Sequence, residues 1–242
     1  MHFKEHAKIM KSGFGKTCAA TFALVLALSI SQAASAQEHV ESAHHGFHNV
    51  EHWARAFESP ARTKWQKPGE VVRALNLRPG QTVADIGAGT GYFTRRFASA
   101  VAPTGEAIGL DVEPAMVAYM KTDAKRLGAK DYQARLVKAD DPGLAPRSVD
   151  VVFFCDTLHH LEQRVAYFRR LAPGLRPGGR VVVIDFKKKT LPVGPPPADK
   201  ISREEMIGEF RAAGYRLVRE HHFLPYQYFL EFEPEPLAQL SK

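Results

Sequence analysis

Short apolar runs alternate with amphipathic segments along most of the chain after residue 68. Runs of this length, several without a polar interruption, are typical of strands buried on both faces of a parallel sheet. The segments between them have helical spacing of their apolar residues. The alternation predicts an α/β fold with a doubly wound, mostly parallel sheet. Its first five strands are expected at 82–86, 106–111, 134–139, 150–155 and 180–186.

The C-terminal part departs from this alternation. A Ser-x-x-Glu capping box at 202–205 predicts a helix, and two strand-like runs follow it at 215–223 and 226–233. Only Leu224-Pro225 separates these runs, and a link so short suits an antiparallel hairpin rather than a crossover. We therefore expect seven strands in the order 3-2-1-4-5-7-6, with an antiparallel hairpin at the end of the chain.

The first 36 residues have a different pattern. Four lysines precede an apolar run at 18–30, and Ala34-Ser35-Ala36 offers a small-residue cleavage site. This arrangement predicts a secretory signal peptide that is cleaved after Ala36, and hence a periplasmic or secreted protein. An uncleaved anchor is the alternative, although the run is shorter than a comfortable membrane span.

Residues 37–49 are polar and rich in histidine. If this stretch is helical, His44, His48 and His52 lie on one face at i, i+4 spacing, a geometry that can hold a transition metal. No cysteine accompanies them, and a solvated tail is the alternative interpretation. We assign no metal ligands from this pattern.

A small helical cap is expected between this tail and the α/β domain. Both tryptophans of the protein, Trp53 and Trp65, lie here with Phe57 among charged residues, ahead of the first strand. The segment either covers a ligand pocket as a lid or simply packs against the sheet. The predicted organisation is therefore a signal peptide at 1–36, a tail and cap at 37–67, and the main domain at 68–242.

Composition narrows the function classes. The chain has 242 residues, of which 45% are hydrophobic and 24% charged, values ordinary for one globular domain. The formal charge of +7 falls to about +4 once the leader is removed, and no cluster of basic residues alternates with aromatics. We therefore do not expect nucleic-acid binding. Only Cys155 remains after cleavage, so the exported chain has no internal disulfide.

The most informative motif follows the first strand. It has the form Asp-x-Gly-x-Gly-x-Gly, with Asp85 at the strand end and glycines at 87, 89 and 91. Glycines permit positive φ angles and a close approach of the backbone to a ligand. A dinucleotide-binding fingerprint would instead require a glycine at position 92, which is Tyr92. An ordinary strand–helix connection is the alternative.

In its acid and its three glycines, the motif resembles the first motif of class I S-adenosylmethionine (SAM) dependent methyltransferases. The resemblance implies SAM as cofactor and the seven-stranded sheet of that family. It also implies that the glycine turn, including Ala88, lies against the methionine part of SAM, and that Asp85 contacts its amino group directly or through water.

Further acids match positions that this family uses for the cofactor. Asp111, at the end of the second strand and next to Val112, is placed to accept hydrogen bonds from both ribose hydroxyls, although it can instead cap the following helix. After the third strand, Asp140 and Asp141 match the adenine site, or form an ordinary polar turn. The resemblance implies a cofactor set of these residues, the glycine turn and Asp156.

The fourth strand ends in Cys-Asp-Thr-Leu-His-His at 155–160, without the Asn/Asp-Pro-Pro pattern of enzymes that methylate amides or base amino groups. With Arg-Pro-Gly-Gly-Arg at 176–180, it resembles the small-molecule methyltransferases that include the ubiquinone and menaquinone C-methylating group. A small or lipid-like acceptor is implied. A carbon or oxygen acceptor must lose a proton, and His159 is the first candidate base. The weaker candidates are His160, Asp185, Lys187, His222 and Tyr226.

Two alternatives to an exported methyltransferase stay open from the sequence. One is a non-catalytic protein that keeps the fold and binds SAM or another nucleoside. The other is an exported metal-binding protein that uses the N-terminal histidines.

Overall fold

The computed structural model describes residues 50–236. Seven strands form one sheet in the order β3-β2-β1-β4-β5-β7-β6, which confirms the predicted fold class and strand order. The strands are β1 Thr82–Ile86, β2 Glu106–Asp111, β3 Tyr132–Leu136, β4 Val149–Cys155, β5 Leu175–Phe186, β6 Tyr215–His221 and β7 Gln227–Pro234.

Seven α-helices accompany the sheet within residues 50–236. Three of them precede the first strand, and the other four connect later strands. The helices are α1 Val50–Phe57, α2 Pro60–Gln66, α3 Pro68–Ala74, α4 Thr94–Val101, α5 Pro114–Leu127, α6 Arg164–Leu171 and α7 Arg203–Ala212.

The pairing of the strands brings the carboxyl ends of the five parallel strands, β1 to β5, to one edge of the sheet. Strand β1 lies parallel between β2 and β4, and β4 pairs in parallel with β5. Strand β7 runs antiparallel to β5, so that Gln227 begins β7 opposite Phe186, where β5 ends. In open α/β sheets, ligands bind at this carboxyl edge, near the point where the strand order reverses.

The sheet is buried on both faces by two separate apolar clusters. One contains Phe154 of β4 with Phe168 of α6 and Phe210 of α7, and the rings of Phe168 and Phe210 stack on each other. The other contains Phe97 of α4 and Phe153 of β4, whose rings are in contact. Alternate residues of the central strands face opposite clusters, which explains why these strands are continuous apolar runs in the sequence.

Some boundaries differ from the sequence prediction. Helix α4 begins at Thr94, because three residues of positive φ in the preceding turn are incompatible with a right-handed helix. Strand β3 ends at Leu136, after which 138–141 closes a turn through an isolated bridge. Strand β5 starts at Leu175 rather than 180, since Leu175 already pairs with Val149 before an irregularity in the register.

The signal peptide and the histidine-rich tail lie outside the described residues, so both stay predictions. Within 50–236, no helix is long and apolar enough to cross a membrane. The same part of the chain contains no group of three or more histidine, cysteine or carboxylate residues placed to hold a metal ion.

Candidate active site

The turn after β1 is built from three glycines in the left-handed region of backbone space. Their φ angles are 69° at Gly87, 55° at Gly89 and 75° at Gly91, a region that costs a residue with a side chain about 1–2 kcal/mol. The amides of Gly87 and Ala88 both donate to the carbonyl oxygen of Leu110, at 2.8 and 3.2 Å. These bonds fasten the turn to the end of β2.

Two of these glycines have different surroundings. A Cβ on Gly91, which is buried, would overlap the hydroxyl of Tyr132. A Cβ on Gly89 would instead lie 3.4 Å from the ring of Phe57 in the N-terminal cap. Gly91 is therefore explained by packing beneath the turn, whereas Gly89 borders the space between the turn and the cap.

Asp111 joins the glycine turn to the start of α5. One carboxylate oxygen accepts from the amide of Gly89 at 2.7 Å and the other from the amide of Glu113 at 3.0 Å. Burial raises the pKa of this carboxyl, although the backbone bonds oppose the shift. The next residue, Val112, is 48% exposed, so an uncovered apolar surface lies directly beside the acid.

Asp85 lies behind the turn and is 3% exposed. Its carboxylate accepts a hydrogen bond from the hydroxyl of Thr94 at 2.6 Å. Burial raises the pKa of Asp85 to about 7, with the Thr94 bond opposing the shift and the charge of Asp111 adding to it. A cation close to this carboxyl would stabilise its ionised form.

The two acids after β3 are both exposed. The carboxylate of Asp141 accepts from the amide of Gly143 at 2.9 Å, and the carbonyl of Asp140 accepts from the guanidinium of Arg170. The turn lies at the same edge as Asp111, because Asp111 pairs in register with Leu136 at the end of β3.

Asp156, the residue after β4, has an unusual backbone conformation with φ of 56°. Its carboxylate accepts from the side-chain amide of Gln227 at 2.6 Å and lies 3.8 Å from the guanidinium of Arg62. Burial raises the pKa of Asp156, and the nearby charge of Asp185 raises it further. Asp156 therefore connects the cap, β4 and β7.

His159 and Asp185 form a close pair at the ends of β4 and β5. The Nδ1 atom of His159 lies 3.0 Å from a carboxylate oxygen of Asp185, and the two side chains are 7% and 1% exposed. Burial lowers the pKa of His159, but the bond and charge of Asp185 outweigh it and leave a net raised pKa. The neighbouring His160 is more exposed, and burial together with the charge of His159 lowers its pKa.

The link between α1 and α2 is bonded to the glycine turn. Glu58 accepts from the hydroxyl of Thr90 at 2.7 Å and pairs with the guanidinium of Arg95 at 2.6 Å. Arg95 also pairs with Asp123 on α5 at 2.8 Å. These bonds hold the cap against the carboxyl edge of the sheet.

Helix α2 makes further polar contacts with the same edge. The hydroxyl of Thr63 lies 3.1 Å from that of Tyr92, and Gln66 donates to Gln227 at 2.8 Å although both residues are buried. The ring of Trp65 lies 5.8 Å from that of Phe186. The cap thus spans the edge from the glycine turn to the ends of β5 and β7.

A cavity of about 300 Å³ opens on the β5–β7 side of this edge. Gln227 and Tyr228 contribute to its wall, and Tyr228 lies in register opposite Asp185. Lys187 also lines it, with an ammonium that donates to the carbonyls of Leu224 and Pro225 at 3.1 and 3.2 Å. The side chain of His222 at the rim is 80% exposed.

Comparisons with known proteins agree with this geometry. Residues 77–214 match the model of a family described as "Methyltransferase domain". The ubiquinone/menaquinone biosynthesis C-methyltransferase UbiE of Ectopseudomonas mendocina (strain ymp) is 31% identical over 187 residues, which cover 68% of this chain and 72% of that protein. The chain is a member of the class I SAM-dependent methyltransferase family.

Two further similarities describe the extent of the match. The enzyme of the same name from Burkholderia vietnamiensis is 37% identical over 123 residues, about half of each protein at 49% and 48%. The crystal structure of a SAM-dependent methyltransferase from Aquifex aeolicus superposes with a TM-score of 0.70 at 26% identity, covering 74% of this chain and 95% of that one.

The residues of this methyltransferase fit the cofactor that its family uses. Gly89 leaves room where a Cβ would approach the cap, and the Asp111 carboxylate lies next to the exposed apolar Val112. A glycine turn, an acid and an apolar surface are the kinds of groups that suit a nucleoside with an amino-acid tail.

Sequence reasoning identified His159 and Asp185 separately but not their pairing. The signal was present, because both follow or end neighbouring strands and the carboxyl ends of such strands meet at one edge. It missed the cap residues Glu58 and Arg62 and the amide of Gln227 altogether. No motif marks them, and only the folded chain brings them to the edge.

Proposed function

We propose that this methyltransferase transfers the methyl group of SAM to a carbon or oxygen atom of a small or lipid-like acceptor outside the cytoplasm. The observation that carries the proposal is the buried pair of His159 and Asp185 at the carboxyl edge of the sheet. Asp185 lies in register opposite Tyr228, which lines the β5–β7 cavity. The names of the UbiE relatives support a carbon acceptor of quinone type.

On the cofactor side, the proposed binding set is the glycine turn at 87–91 with Asp85, Asp111 and Asp156. Asp111 accepts hydrogen bonds from the ribose hydroxyls, and Val112 packs against the adenine. The exposed pair Asp140 and Asp141 completes the adenine end. Asp85 and Asp156, which both have raised pKa values, compensate the positive charge of the amino group of SAM.

On the acceptor side, His159 is the proposed base. Its Nδ1 faces Asp185, so its Nε2 is the ring nitrogen left to take a proton from the acceptor hydroxyl or ring carbon. When bound, SAM supplies a sulfonium methyl group that is intrinsically electrophilic. The protein then aligns the acceptor with that group and keeps water out, and proximity is expected to be the leading contribution.

Methyl transfer from radiolabelled SAM to a panel of phenols, hydroquinones and hydroxylated lipids tests this proposal. We expect labelled product from at least one phenolic or quinol acceptor, and none from proteins or nucleic acids. Tight SAM binding with no transfer to any member of the panel would instead favour the non-catalytic binding protein.

The proposed export rests on the leader at 1–36 and is tested separately. When the full chain is produced in a bacterial host, we expect the periplasmic fraction to contain a protein that starts at Gln37, as determined by mass spectrometry. A full-length protein confined to the cytoplasm would contradict export without affecting the proposed chemistry.

A further inference from the structure

Arg62 of α2 carries a guanidinium that is largely buried yet has no close anionic partner among residues 50–236. Its side chain is 14% exposed. The shortest hydrogen bonds of the guanidinium are 3.4 Å long, to the side chain of Gln66 and to the carbonyl of Phe57. The Sγ of Cys155 lies at 4.0 Å and the carboxylate of Asp156 at 3.8 Å.

These distances are long for a guanidinium. Charge-assisted bonds from nitrogen to a carboxylate are usually about 2.7–2.9 Å long, and a guanidinium presents five N–H donors. Other partly buried arginines of this chain meet that standard, with hydrogen-bonded ion pairs of 2.6 Å for Arg95–Glu58 and 2.7 Å for Arg164–Glu209. Arg62 therefore keeps hydrogen-bonding capacity that residues 50–236 do not use.

The position of this guanidinium is nevertheless well defined. It lies 4.4 Å from the ring centre of Tyr92 and 5.5 Å from that of Phe57, distances at which a cation is attracted to an aromatic face. Its charge lowers the pKa of both Asp85 and Asp156, against the larger effect of burial. Arg62 thus lies between Tyr92, which follows the glycine turn, and the end of β4.

This space has the charges that an amino-acid zwitterion requires. The carboxylates of Asp85 and Asp156 suit an ammonium group, and the guanidinium with unused donors suits a carboxylate. The methionine portion of SAM carries both groups on one carbon atom. We propose that Arg62 binds the carboxylate of SAM and that the cap thereby contributes a specificity-determining residue to the cofactor site.

The inference rests on the cofactor site proposed above and adds a residue from outside the α/β domain. It makes the cap part of cofactor recognition rather than only a cover. It also predicts which part of the cofactor the cap recognises, and this separates it from a purely structural role of Arg62.

The test is calorimetric titration of the purified protein and of Arg62→Gln with SAM, decarboxylated SAM and 5′-methylthioadenosine. Decarboxylated SAM keeps the amino group and lacks only the carboxylate. We expect the native protein to bind SAM about ten- to a hundredfold more tightly than decarboxylated SAM. In Arg62→Gln this preference should fall to about twofold or less, with the affinity for 5′-methylthioadenosine unchanged.

Two further variants serve as controls. Arg62→Lys keeps the charge but not the planar fork and should retain part of the preference. Arg55→Gln removes an exposed arginine of α1 and should retain all of it. Melting temperatures of the variants show whether each remains folded.

The outcomes distinguish the inference from the proposed cofactor site. Equal losses of affinity for all three ligands in Arg62→Gln would assign Arg62 a structural role and overturn the inference. A native protein that does not discriminate SAM from decarboxylated SAM would overturn it as well. Failure of the native protein to bind any of the three would instead contradict the cofactor site itself.

Discussion

The carboxyl edge of the sheet has two halves with different construction. The half formed by β1, β2 and β3 is built largely from backbone, with a glycine turn bonded to Leu110 and to the Asp111 carboxylate. The half formed by β4, β5 and β7 is built from side chains, with His159 against Asp185 and Gln227 between Asp156 and Gln66.

The difference corresponds to two tasks. A cofactor common to a family is held by a turn whose shape the backbone fixes, and such a turn tolerates little change. In the proposed function, the acceptor and its proton are handled by titratable side chains such as His159 and Asp185, and these can vary while the fold persists. Four substitutions test whether the two halves have these separate roles.

The largest expected effect is a loss of kcat in the half formed by β4, β5 and β7. His159→Gln should lower kcat by about 10²–10⁴ fold through loss of the base, with the affinity for SAM unchanged. His160→Gln is the matched comparison and should keep most of the activity. An equal loss of SAM affinity in His159→Gln would mean that the two halves are not separate in function.

The second effect concerns stability on the cofactor side. Asp85 has a pKa of about 7 in the folded protein, against an ordinary value of 3.8. The folded state therefore binds the proton more tightly, and stability falls as the pH rises from about 4 to about 7. Asp85→Asn, which can keep the Thr94 bond, should be more stable than the native protein at pH 8 by up to about 4 kcal/mol.

Urea unfolding at pH 5 and pH 8 measures this difference. At pH 5 the difference should be only about 1.6 kcal/mol, because Asp85 is then ionised in the unfolded chain but still mostly protonated in the folded protein, and it should grow toward pH 8. A variant that is less stable at both values would show that the carboxylate stabilises the fold and that its pKa is not raised.

The third effect tests whether backbone shape is required in the turn. Gly91→Ala should lower the unfolding free energy by about 3 kcal/mol, from a positive φ and an overlap with the Tyr132 hydroxyl. Gly128→Ala, which has positive φ and open space, should cost only about 1–2 kcal/mol. The Tyr132 hydroxyl has no hydrogen-bond partner among the described residues.

Removing that hydroxyl separates overlap from strain. Tyr132→Phe should be nearly neutral by itself, and the double variant with Gly91→Ala should recover a substantial part of the lost stability. Additive losses in the double variant would contradict the overlap and leave backbone strain as the whole cost.

The smallest effect concerns the pH dependence of catalysis. The activity of a histidine base rises with pH as the ring loses its proton, and Asp185 raises the pKa of His159. Asp185→Asn should therefore move the midpoint of kcat/KM to lower pH, while SAM affinity stays constant. An unchanged midpoint would remove His159 from the role of base.

The sequence was most informative about the first half of the edge. Asp85, the glycines and Asp111 belong to two short local patterns whose geometry follows from backbone conformation alone. The second half unites residues distant in the chain: 26 positions separate His159 from Asp185, 71 separate Asp156 from Gln227 and 161 separate Gln66 from Gln227. Such contacts depend on the register of β5 with β7 and on the path of the cap, which no local pattern specifies.

The most direct test of the central claim is calorimetric titration of the purified protein with SAM, with NAD as the control ligand. We predict micromolar binding of SAM, no heat with NAD, and at least a tenfold loss of SAM affinity in an Asp111→Asn variant that circular dichroism shows to be folded. No binding of SAM, or equal binding of NAD, would contradict the assignment of this edge as a SAM site.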